Sequence, residues 1–377
     1  MQRNPPVYFD NAATSWRKPG AVLRALGDAA ADAGGNPGRG GHPLAQRAGE
    51  TVYHARETAA AFFDAEPENV VFTQNCTHAL NLAIQGICQP GDHVVISDLE
   101  HNSVARPVAA LAKRGVITYT VAETAPDEET TLQNFRRSIR RNTRAVICTL
   151  VSNVTGQILP FRRIAALCRE KGILFIADGA QACGVLPVSM RDGIRLLCTA
   201  GHKGLYGTMG TGLLISDGTV IPQPLMQGGT GSLSVLTEMP DFLPDALEAG
   251  TVNVPGIAAL DAGMQWVMRQ QLSHIHAWEN ALCSRFLAGL RRIPDCTVYR
   301  VPGAQYAPLV SFALSRETPN ETGARLGKAG FCLRAGLHCA PLAHRKLGTI
   351  EAGTVRFAPS VFNTAEEVDA LLHCIAG

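Results

Sequence analysis

Lys203 lies on a predicted glycine-rich turn, and its amine could do chemistry there. Residues 199–207 read Thr-Ala-Gly-His-Lys-Gly-Leu-Tyr-Gly, and the apolar runs 194–198 and 212–216 on either side are predicted strands. Glycines let a ligand approach the backbone closely, and a lysine amine held there can form a Schiff base. A surface lysine on an ordinary turn fits the segment equally well, so its interpretation depends on the rest of the chain.

An aspartate and an asparagine directly follow two other predicted strands. Asp178 comes at the end of the apolar run 173–177, and Asn153 follows the run 145–150. A carboxylate at the end of a fully apolar strand is costly to bury without a partner, so Asp178 is expected to face a cationic group. The alternative is an aspartate that only caps a loop.

Two strand-to-helix corners add further polar groups. After the strand at 70–73, a helix begins near Thr77, and a helix N-terminus with a hydroxyl in its first turn favours a phosphate. Simple N-capping by Asn75 or Thr77 is as good an explanation. His101 follows the strand at 93–96, and a lone histidine at such a corner is more often structural than catalytic.

The elements that must position these residues alternate regularly from residue 69 onward. Apolar strands at 70–73, 93–96, 116–119, 145–150 and 173–177 are separated by predicted helices near 77–88, 104–114, 129–140 and 160–171. This order predicts a mostly parallel α/β sheet, in which ligands bind at the carboxyl ends of the strands. Beyond residue 256, a helical stretch to about 292 and strands at 297–299, 309–312 and 330–334 predict a smaller α+β domain.

The expected organisation is therefore an arm, a large domain and a small domain. The N-terminal arm, 1–20, is expected to pack with the small domain, 257–377, and the large domain covers 21–256. Residues 34–42 form a glycine-rich loop that is either a flexible linker or a loop folding over a ligand.

Composition excludes several other classes of protein. The chain has 377 residues, 46% of them hydrophobic, and a net charge of +2, which argues against disorder and against nucleic-acid or membrane binding. The basic run at 136–144 is explained as a solvated helix end. Eleven cysteines without a Cys-x-x-Cys pair or zinc spacing predict no metal site and a reducing, cytoplasmic setting. No targeting or membrane-spanning segment is predicted.

Taken in chain order, these features resemble a known enzyme family. The set comprises the helix start at 76–77, His101, Asn153, Asp178 to Gln181, His202-Lys203 and Arg356. It resembles the class V aminotransferase-fold enzymes that use pyridoxal phosphate (PLP; fold type I), and within them the cysteine desulfurase and selenocysteine lyase group. The likeness covers nearly the whole chain. Residues 334–340, Arg-Ala-Gly-Leu-His-Cys-Ala, resemble the Arg-x-Gly-x-x-Cys segment of the group with a short active-site loop.

The resemblance implies a PLP site at the strand ends. Lys203 would hold the cofactor as a Schiff base and then remove the α-proton of the substrate. Asp178 would pair with the pyridinium nitrogen, and His101 would stack on the ring and assist proton transfer. Asn153 and Gln181 would contact the ring hydroxyl.

The phosphate contacts implied by the resemblance include one from a second subunit. Cys76, Thr77 and His202 would bind the phosphate within one chain. Thr251, in the segment Gly250-Thr251, would reach it from the partner, which implies a homodimer with shared active sites.

This chain departs from the family pattern at two phosphate contacts. The family usually has Ser or Thr three residues before the lysine, whereas this chain has Ala200 there and Thr199 one position earlier. In the helix start, Cys76-Thr77 replaces the usual pair and His78 replaces a common Glu. The Thr77 hydroxyl is therefore carried over, but the Cys76 side chain is not.

The resemblance also implies how substrate is held and where its sulfur goes. Arg356 would clamp the substrate carboxylate with a bidentate pair, with Asn153 and Asn11 nearby. Cys339 would attack the substrate sulfur as a thiolate and become a persulfide. Arg334 and His338 lie close to it in sequence, and either could activate the thiol. Another buried apolar cysteine is the alternative reading of Cys339.

The predicted function is thus a PLP-dependent cysteine desulfurase that converts L-cysteine to L-alanine and leaves a persulfide on Cys339. A selenocysteine lyase, a C–S lyase for a larger S-conjugate and a class V aminotransferase remain alternatives, because fold and cofactor motifs do not distinguish them. A non-catalytic scaffold protein is disfavoured by the joint presence of Lys203, Asp178, Arg356 and Cys339.

Overall fold

The computed structural model describes residues 5–38 and 40–377, and within them the strands form three sheets. In chain order the strands are β1 (Val7–Tyr8), β2 (Val70–Thr73), β3 (Asp92–Ser97), β4 (Ile117–Ala122), β5 (Thr143–Thr149), β6 (Leu174–Asp178), β7 (Leu196–Ala200), β8 (Gly212–Ser216), β9 (Cys296–Val298), β10 (Val310–Leu314), β11 (Phe331–Cys332), β12 (Arg334–Gly336) and β13 (Thr354–Phe357).

Helices cover the sheets. They are α1 (Gly20–Asp32), α2 (Pro43–Phe63), α3 (Cys76–Ile87), α4 (Asn102–Lys113), α5 (Glu128–Ser138), α6 (Phe161–Lys171), α7 (Val254–Gln270), α8 (Leu272–Leu290), α9 (Pro319–Lys328), α10 (Pro341–Leu347) and α11 (Ala365–Ala376). None of the helices in the described part of the chain has both the length and the apolar composition needed to cross a membrane.

The large sheet has seven strands in the order β2-β8-β7-β6-β5-β3-β4. Strand β8 is antiparallel to both of its neighbours, and the remaining pairings are parallel. The β7–β8 connection is too short for a crossover helix, so β8 must return in the opposite direction. The other six strands all run the same way. The predicted α/β fold with a mostly parallel sheet is confirmed.

Apolar cores lie on both faces of this sheet, as its buried strands require. One core includes residues of α2, α6 and α7, and the other includes residues of α3 and α4. Helices α3 and α4 directly follow β2 and β3, so their first turns lie at the carboxyl edge of the sheet. This arrangement fixes where polar residues at the strand ends can meet.

A second sheet, in the order β12-β13-β10-β9, packs with residues of α8, α9 and α11 around a separate core. The arm joins this core, since β1 pairs with β11 and the buried Phe9 packs there. The division into 1–20, 21–256 and 257–377 remains a prediction; helix α7 crosses the second boundary and contributes to the larger core.

Two sequence-based element predictions were wrong in detail. The helical stretch at 256–292 is two helices, because Gln271 takes a φ of 63°, which ends α7 before α8 begins. The strand expected at 330–334 is divided between β11 and β12, which belong to different sheets. This division lets one short segment connect the arm to the strand beside Arg356.

Candidate active site

The strand-end residues predicted from the sequence meet around one cavity of about 200 Å³. It is lined by Cys76, Thr77, His101, Asn153, Asp178, Gln181, His202, Lys203 and Arg356, together with Ser103 and Arg334 among others. Residues from β2, β3, β5, β6 and β7 converge because these strands run in one direction, so their carboxyl ends lie at one edge.

Asp178 is the last residue of β6 and is almost completely buried. Its Oδ1 atom accepts hydrogen bonds from the Ala180 amide at 3.0 Å and from the Cys76 thiol at 3.5 Å. Burial, reinforced by Asp178, raises the pKa of Cys76 well above its ordinary value. Cys76 is therefore a thiol donor to Asp178 at neutral pH.

The start of α3 has the features expected of an anion-binding corner. Asn75 caps the helix by accepting from the His78 amide at 2.9 Å, and helix geometry gives the Cys76 and Thr77 amides no intrahelical acceptor. The capping interpretation and the phosphate interpretation are therefore compatible, because they use different amides. His202, across the cavity, has its pKa lowered to about 4 by burial and by Lys203 and Lys18, so its ring is neutral.

Ser103 is a site residue that the sequence prediction missed. Its hydroxyl lies 2.7 Å from the Thr77 hydroxyl and 2.8 Å from His101 Nδ1, on the cavity wall. Thr199, in contrast, directs its hydroxyl toward the Gly179 carbonyl at 3.4 Å and does not line the cavity. Ser103 thus adds a hydroxyl to the cavity wall beside Thr77. A serine two residues after His101 is the signal that could have identified it.

His101 has one defined tautomer. Its Nδ1 atom accepts from the Ser103 amide at 3.0 Å, so the proton of the neutral ring resides on Nε2. Burial lowers the pKa of His101 to about 4; Lys203, Arg334 and Arg356 act in the same direction and Asp178 opposes them. The ring is therefore a neutral donor through Nε2.

Lys203 lies on a turn that hydrogen bonds to its backbone carbonyl hold in place. The Lys203 carbonyl accepts from the Tyr206 amide at 2.9 Å and from the Ser15 hydroxyl at 3.1 Å. Gly204 is required there, because a Cβ atom would lie 2.5 Å from the Cys183 carbonyl oxygen. Burial lowers the pKa of the Lys203 amine, with Arg356 acting in the same direction. Cys76 and Asp178 oppose this shift, and a lower pKa increases the fraction of the amine that is nucleophilic.

Arg356, on β13, is 1% exposed and is held at two of its three nitrogens. Its Nη2 atom donates to Asp10 Oδ1 at 2.7 Å, and Nη1 donates to the Asn153 carbonyl at 3.0 Å. Burial lowers the pKa of Arg356, and Asp10 opposes that shift. Asp10 thus forms an ion pair with the predicted carboxylate clamp.

Cys339 lies outside the cavity, beside its entrance. It is exposed, and both His338 and Cys339 have left-handed backbone conformations, with φ of 48° and 58°. Arg334 Nη2 donates to Cys339 Sγ at 3.4 Å, and the Asn102 amide donates to the Cys339 carbonyl at 2.7 Å. The alternative of a buried apolar cysteine is wrong for this residue.

His338 does not activate the neighbouring thiol. Its Nε2 atom donates to the Thr354 carbonyl at 3.1 Å, and the His338 carbonyl accepts from Asn153 Nδ2 at 2.7 Å. Burial and the adjacent Arg356 and Arg334 lower the pKa of His338 to about 2, so the ring carries no charge. Of the two candidate activators, the one that contacts the Cys339 sulfur is Arg334.

Besides Cys339, two predicted site residues do not line the cavity within one chain. Thr251 is exposed in a different cavity, where its hydroxyl accepts from Asn36 Nδ2 at 3.3 Å. Asn11 donates to the Ala358 carbonyl at 3.0 Å and lines a small space behind Lys203. Their roles remain predictions. Gln181 lines both spaces and donates to the Ala12 carbonyl at 2.9 Å.

The cavity fits PLP and a carboxylate substrate. Among the described residues, Asn153 Oδ1, His202 Nδ1 and Arg356 Nε are buried around it without a hydrogen-bond partner. Such groups are normally satisfied, so their convergence indicates a polar ligand. The buried carboxylate of Asp178, the Lys203 amine and the α3 N-terminus supply the contacts that a pyridinium, an aldehyde and a phosphate require.

Comparisons with known proteins agree with this geometry. The family model "Aminotransferase class-V" matches residues 7–371. A probable cysteine desulfurase of Methanothermobacter thermautotrophicus is 32% identical over 98% of this chain and 95% of its own length. One of Mycolicibacterium paratuberculosis is also 32% identical over 98% of this chain, which spans only 55% of that longer relative.

Solved structures give the same result. The apo structure of a cysteine desulfurase from Thermococcus onnurineus matches with a TM-score of 0.90 and 29% identity, covering 98% of this chain and 94% of the other. Members of the matched family are PLP-dependent, as the sequence resemblance predicted. Because the family model covers nearly the whole chain, the protein belongs to the class-V aminotransferase family.

Proposed function

We propose that this protein is a PLP-dependent cysteine desulfurase, which removes sulfur from L-cysteine, releases L-alanine and carries the sulfur as a persulfide on Cys339. The observation that carries the proposal is the pairing of a buried Lys203–Asp178–Arg356 cavity with an exposed thiol at its entrance. Cys339 is the only exposed cysteine among the described residues, and Arg334 donates to its sulfur. The names of the relatives support the same activity.

Residues at the strand ends would hold the cofactor. Lys203 would bind it covalently, Asp178 would face the pyridinium nitrogen, and the α3 N-terminus with Thr77 and His202 would bind the phosphate. When bound, PLP supplies an electron sink for negative charge at the substrate α-carbon. Ser103 extends the phosphate corner, since its hydroxyl contacts that of Thr77.

Arg356 would orient the substrate through its carboxylate. A guanidinium has five N–H groups, and contacts to Asp10 and Asn153 occupy two of them. The remaining donors include the unpartnered Nε–H, so a carboxylate can be bound without dismantling the existing contacts. A lysine could not supply this geometry.

Lys203 and His101 would accept and donate protons during the reaction. Burial lowers the pKa of the Lys203 amine, which favours its role as the group that accepts the α-proton. The neutral His101 ring lines the cavity and holds a proton on Nε2 that it can donate. Over the whole reaction the α-carbon loses a proton and regains one, and the β-carbon gains a proton where the sulfur leaves.

Cys339 would receive the sulfur. The donor from Arg334 stabilises negative charge on Sγ, which attacks the substrate sulfur while the carbon–sulfur bond breaks. L-cysteine and the Cys339 thiol thus give L-alanine and a Cys339 persulfide, with no external oxidant. The backbone hydrogen bond from Asn102 to Cys339 holds the Cys339 backbone at the start of α4.

We also propose a homodimer with shared sites and a cytoplasmic location. Thr251 lies on an exposed segment, and the nearby chain exposes large apolar side chains such as Val235, which is 90% exposed. Such side chains are typical of an interface. All eleven cysteines are free, which supports a reducing compartment.

The decisive experiment follows products from L-cysteine with PLP and a reductant. The wild type is expected to release alanine and sulfide in equal amounts, and Cys339→Ala is expected to release almost none. Cys374→Ala, at a partly buried cysteine outside the site, is the matched control. Undiminished turnover by Cys339→Ala would reject the persulfide mechanism.

The alternative that an observation favours is a C–S lyase for larger S-conjugates. The cavity adjoins a groove of about 420 Å³ that shares Thr77, His101 and Ser103 with it and also includes Cys339. A panel of cysteine, selenocysteine, cystine, cysteine sulfinate and larger S-conjugates, scored for alanine, pyruvate and sulfide, distinguishes these activities and aminotransfer. Pyruvate rather than alanine from a large conjugate would favour the lyase.

A further inference from the structure

A surface groove between α3 and α4 ends at Cys339. Its volume is about 420 Å³, and we call it the arginine groove. Residues that define it are Thr77 and Gln85 on α3, Arg106, Pro107 and Arg114 on α4, and Cys339. The exposed Cys339 therefore lines this groove and contacts Arg334, which lines the substrate cavity.

The charge of the groove is entirely positive. Arg106 and Arg114 are its only charged lining residues, and His101, which it shares with the cavity, is neutral at pH 7 because burial lowers its pKa to about 4. Neither arginine has a salt-bridge partner in the described part of the chain. Two unpaired guanidinium groups in a concave surface favour an anionic ligand and accelerate its approach.

The backbone of α4 provides a further contact suited to a peptide. Pro107 lies inside the helix and has no amide proton, so the Ser103 carbonyl lacks its usual donor four residues later. Ser103 and Pro107 both line the groove, together with the apolar Ala110 and Leu111. A carbonyl without this donor, beside an apolar floor, can accept an amide from an extended chain, a contact that a simple inorganic anion cannot make.

We propose that the arginine groove docks an acidic peptide segment of a sulfur acceptor, which presents a cysteine thiol to the persulfide on Cys339. The inference rests on the proposed function, because it requires that persulfide. Charge complementarity with Arg106 and Arg114 selects the acidic segment. The position of Cys339 at the end of the groove places the acceptor thiol beside the sulfur it receives.

The transfer step needs no additional reagent. The acceptor thiolate attacks the outer sulfur of the Cys339 persulfide, and the bond between that sulfur and Cys339 Sγ breaks. Cys339 leaves as a thiolate, stabilised by the Arg334 donor at 3.4 Å, and the acceptor becomes the persulfide. Electrons and sulfur balance, and the cysteine is regenerated for another turnover.

The test compares acceptor peptides on the PLP-loaded enzyme. Two synthetic peptides carry one cysteine flanked either by glutamates or by lysines, and persulfide transfer is followed by alkylation and mass spectrometry. The glutamate peptide is expected to have a kcat/KM about tenfold higher at low salt, with the advantage shrinking as salt rises. Equal values, or a preference for the lysine peptide or for a neutral thiol such as 2-mercaptoethanol, would overturn the proposal.

Variants separate docking from chemistry. Arg106→Glu/Arg114→Glu should lose about tenfold in transfer to the glutamate peptide, and Arg106→Gln/Arg114→Gln should lose part of it. The alanine formed in the first turnover, before any acceptor is needed, should be unchanged. Arg137→Glu/Arg292→Glu reverses two exposed charges outside the groove and is the matched control.

The outcomes also separate this inference from the proposed function. A normal first-turnover yield of alanine with unchanged peptide transfer in the reversed variant would reject the groove and leave the desulfurase intact. Absence of alanine in the wild type would reject the proposed function itself. An equal loss of transfer in the control variant would show that the groove charges are not specific.

Discussion

The cavity around Lys203 and the loop around Cys339 hold their reactive groups in opposite ways. Lys203 lies at the edge of a buried sheet, where burial lowers the pKa of its amine. Cys339 is exposed on a left-handed turn, and the Arg334 guanidinium donates directly to its sulfur. The lysine is thus tuned by loss of solvent, whereas the cysteine depends on a single donor and stays accessible.

The same contrast applies to two arginines that lie opposite each other on neighbouring strands. Arg334 on β12 lies opposite Arg356 on β13. Arg356 is buried and neutralised by Asp10, while Arg334 is only partly buried and donates to a thiol. One sheet therefore places the proposed substrate clamp and the proposed thiol activator side by side, and the substitutions below separate them.

The largest effect is expected on the buried side of the comparison. Lys203→Ala should lower alanine formation by about 10³-fold or more, because both the cofactor attachment and the α-proton base are removed. Lys328→Ala, an exposed lysine on α9, is the control. Single-turnover alanine assays measure the effect. If Lys203→Ala retains a substantial rate, the Lys203 amine is not required for alanine formation.

The free energy of unfolding is expected to depend on pH through Glu279, a buried residue that contacts Tyr206 near Lys203. Tyr206 donates to the buried Glu279 at 3.4 Å, and burial raises the pKa of Glu279 from its ordinary 4.5 to about 8. Between these values the folded state binds the proton that the unfolded state has released, so this contribution to stability is lost as pH rises.

Glu279→Gln should remove that dependence. The wild type is expected to lose about 1 kcal/mol per pH unit relative to the variant between pH 5 and 8. Urea unfolding at several pH values gives both curves. Parallel curves would mean that Glu279 does not retain its proton on folding.

A smaller effect is expected at the exposed thiol. Arg334→Gln should slow persulfide formation and alkylation of Cys339 at pH 7 by about tenfold, because a charge-assisted hydrogen bond to the sulfur is lost. Arg345→Gln, at an exposed residue of α10, serves as the comparison. If both substitutions have the same effect, general positive charge rather than the Arg334 contact activates the thiol.

The smallest effect is expected from Asp10→Asn, which should change ligand affinity at Arg356 and protein stability in opposite directions. Asp10→Asn keeps an oxygen acceptor for the guanidinium but removes the competing negative charge. The inhibition constant for the product L-alanine should fall about threefold, while the free energy of unfolding falls by about 1 kcal/mol. Asp28→Asn, at an exposed residue of α1, is the control. A loss of both affinity and stability would assign Asp10 a purely structural role.

Much of the buried site could be predicted from the sequence. Apolar runs alternating with helical segments implied a parallel sheet, and such a sheet gathers Asn153, Asp178 and Lys203 at one edge. The helix start at Cys76 was visible from its capping residue. The family resemblance added Arg356 and Cys339, which no local pattern would have linked to these strand ends.

Contacts between distant segments could not be predicted in this way. Asp10 and Arg356 are 346 residues apart, and the Ser103 hydroxyl acquires its role only because β2 and β3 end at the same edge of the sheet. The orientation of His338 away from Cys339 depends on Thr354 in the neighbouring strand. Local sequence therefore determined the elements and the reactive residue types, since periodicity and turn chemistry are short-range. Tertiary structure alone decided which charges are paired, which thiol is exposed and where the arginine groove opens, because packing brings those groups together.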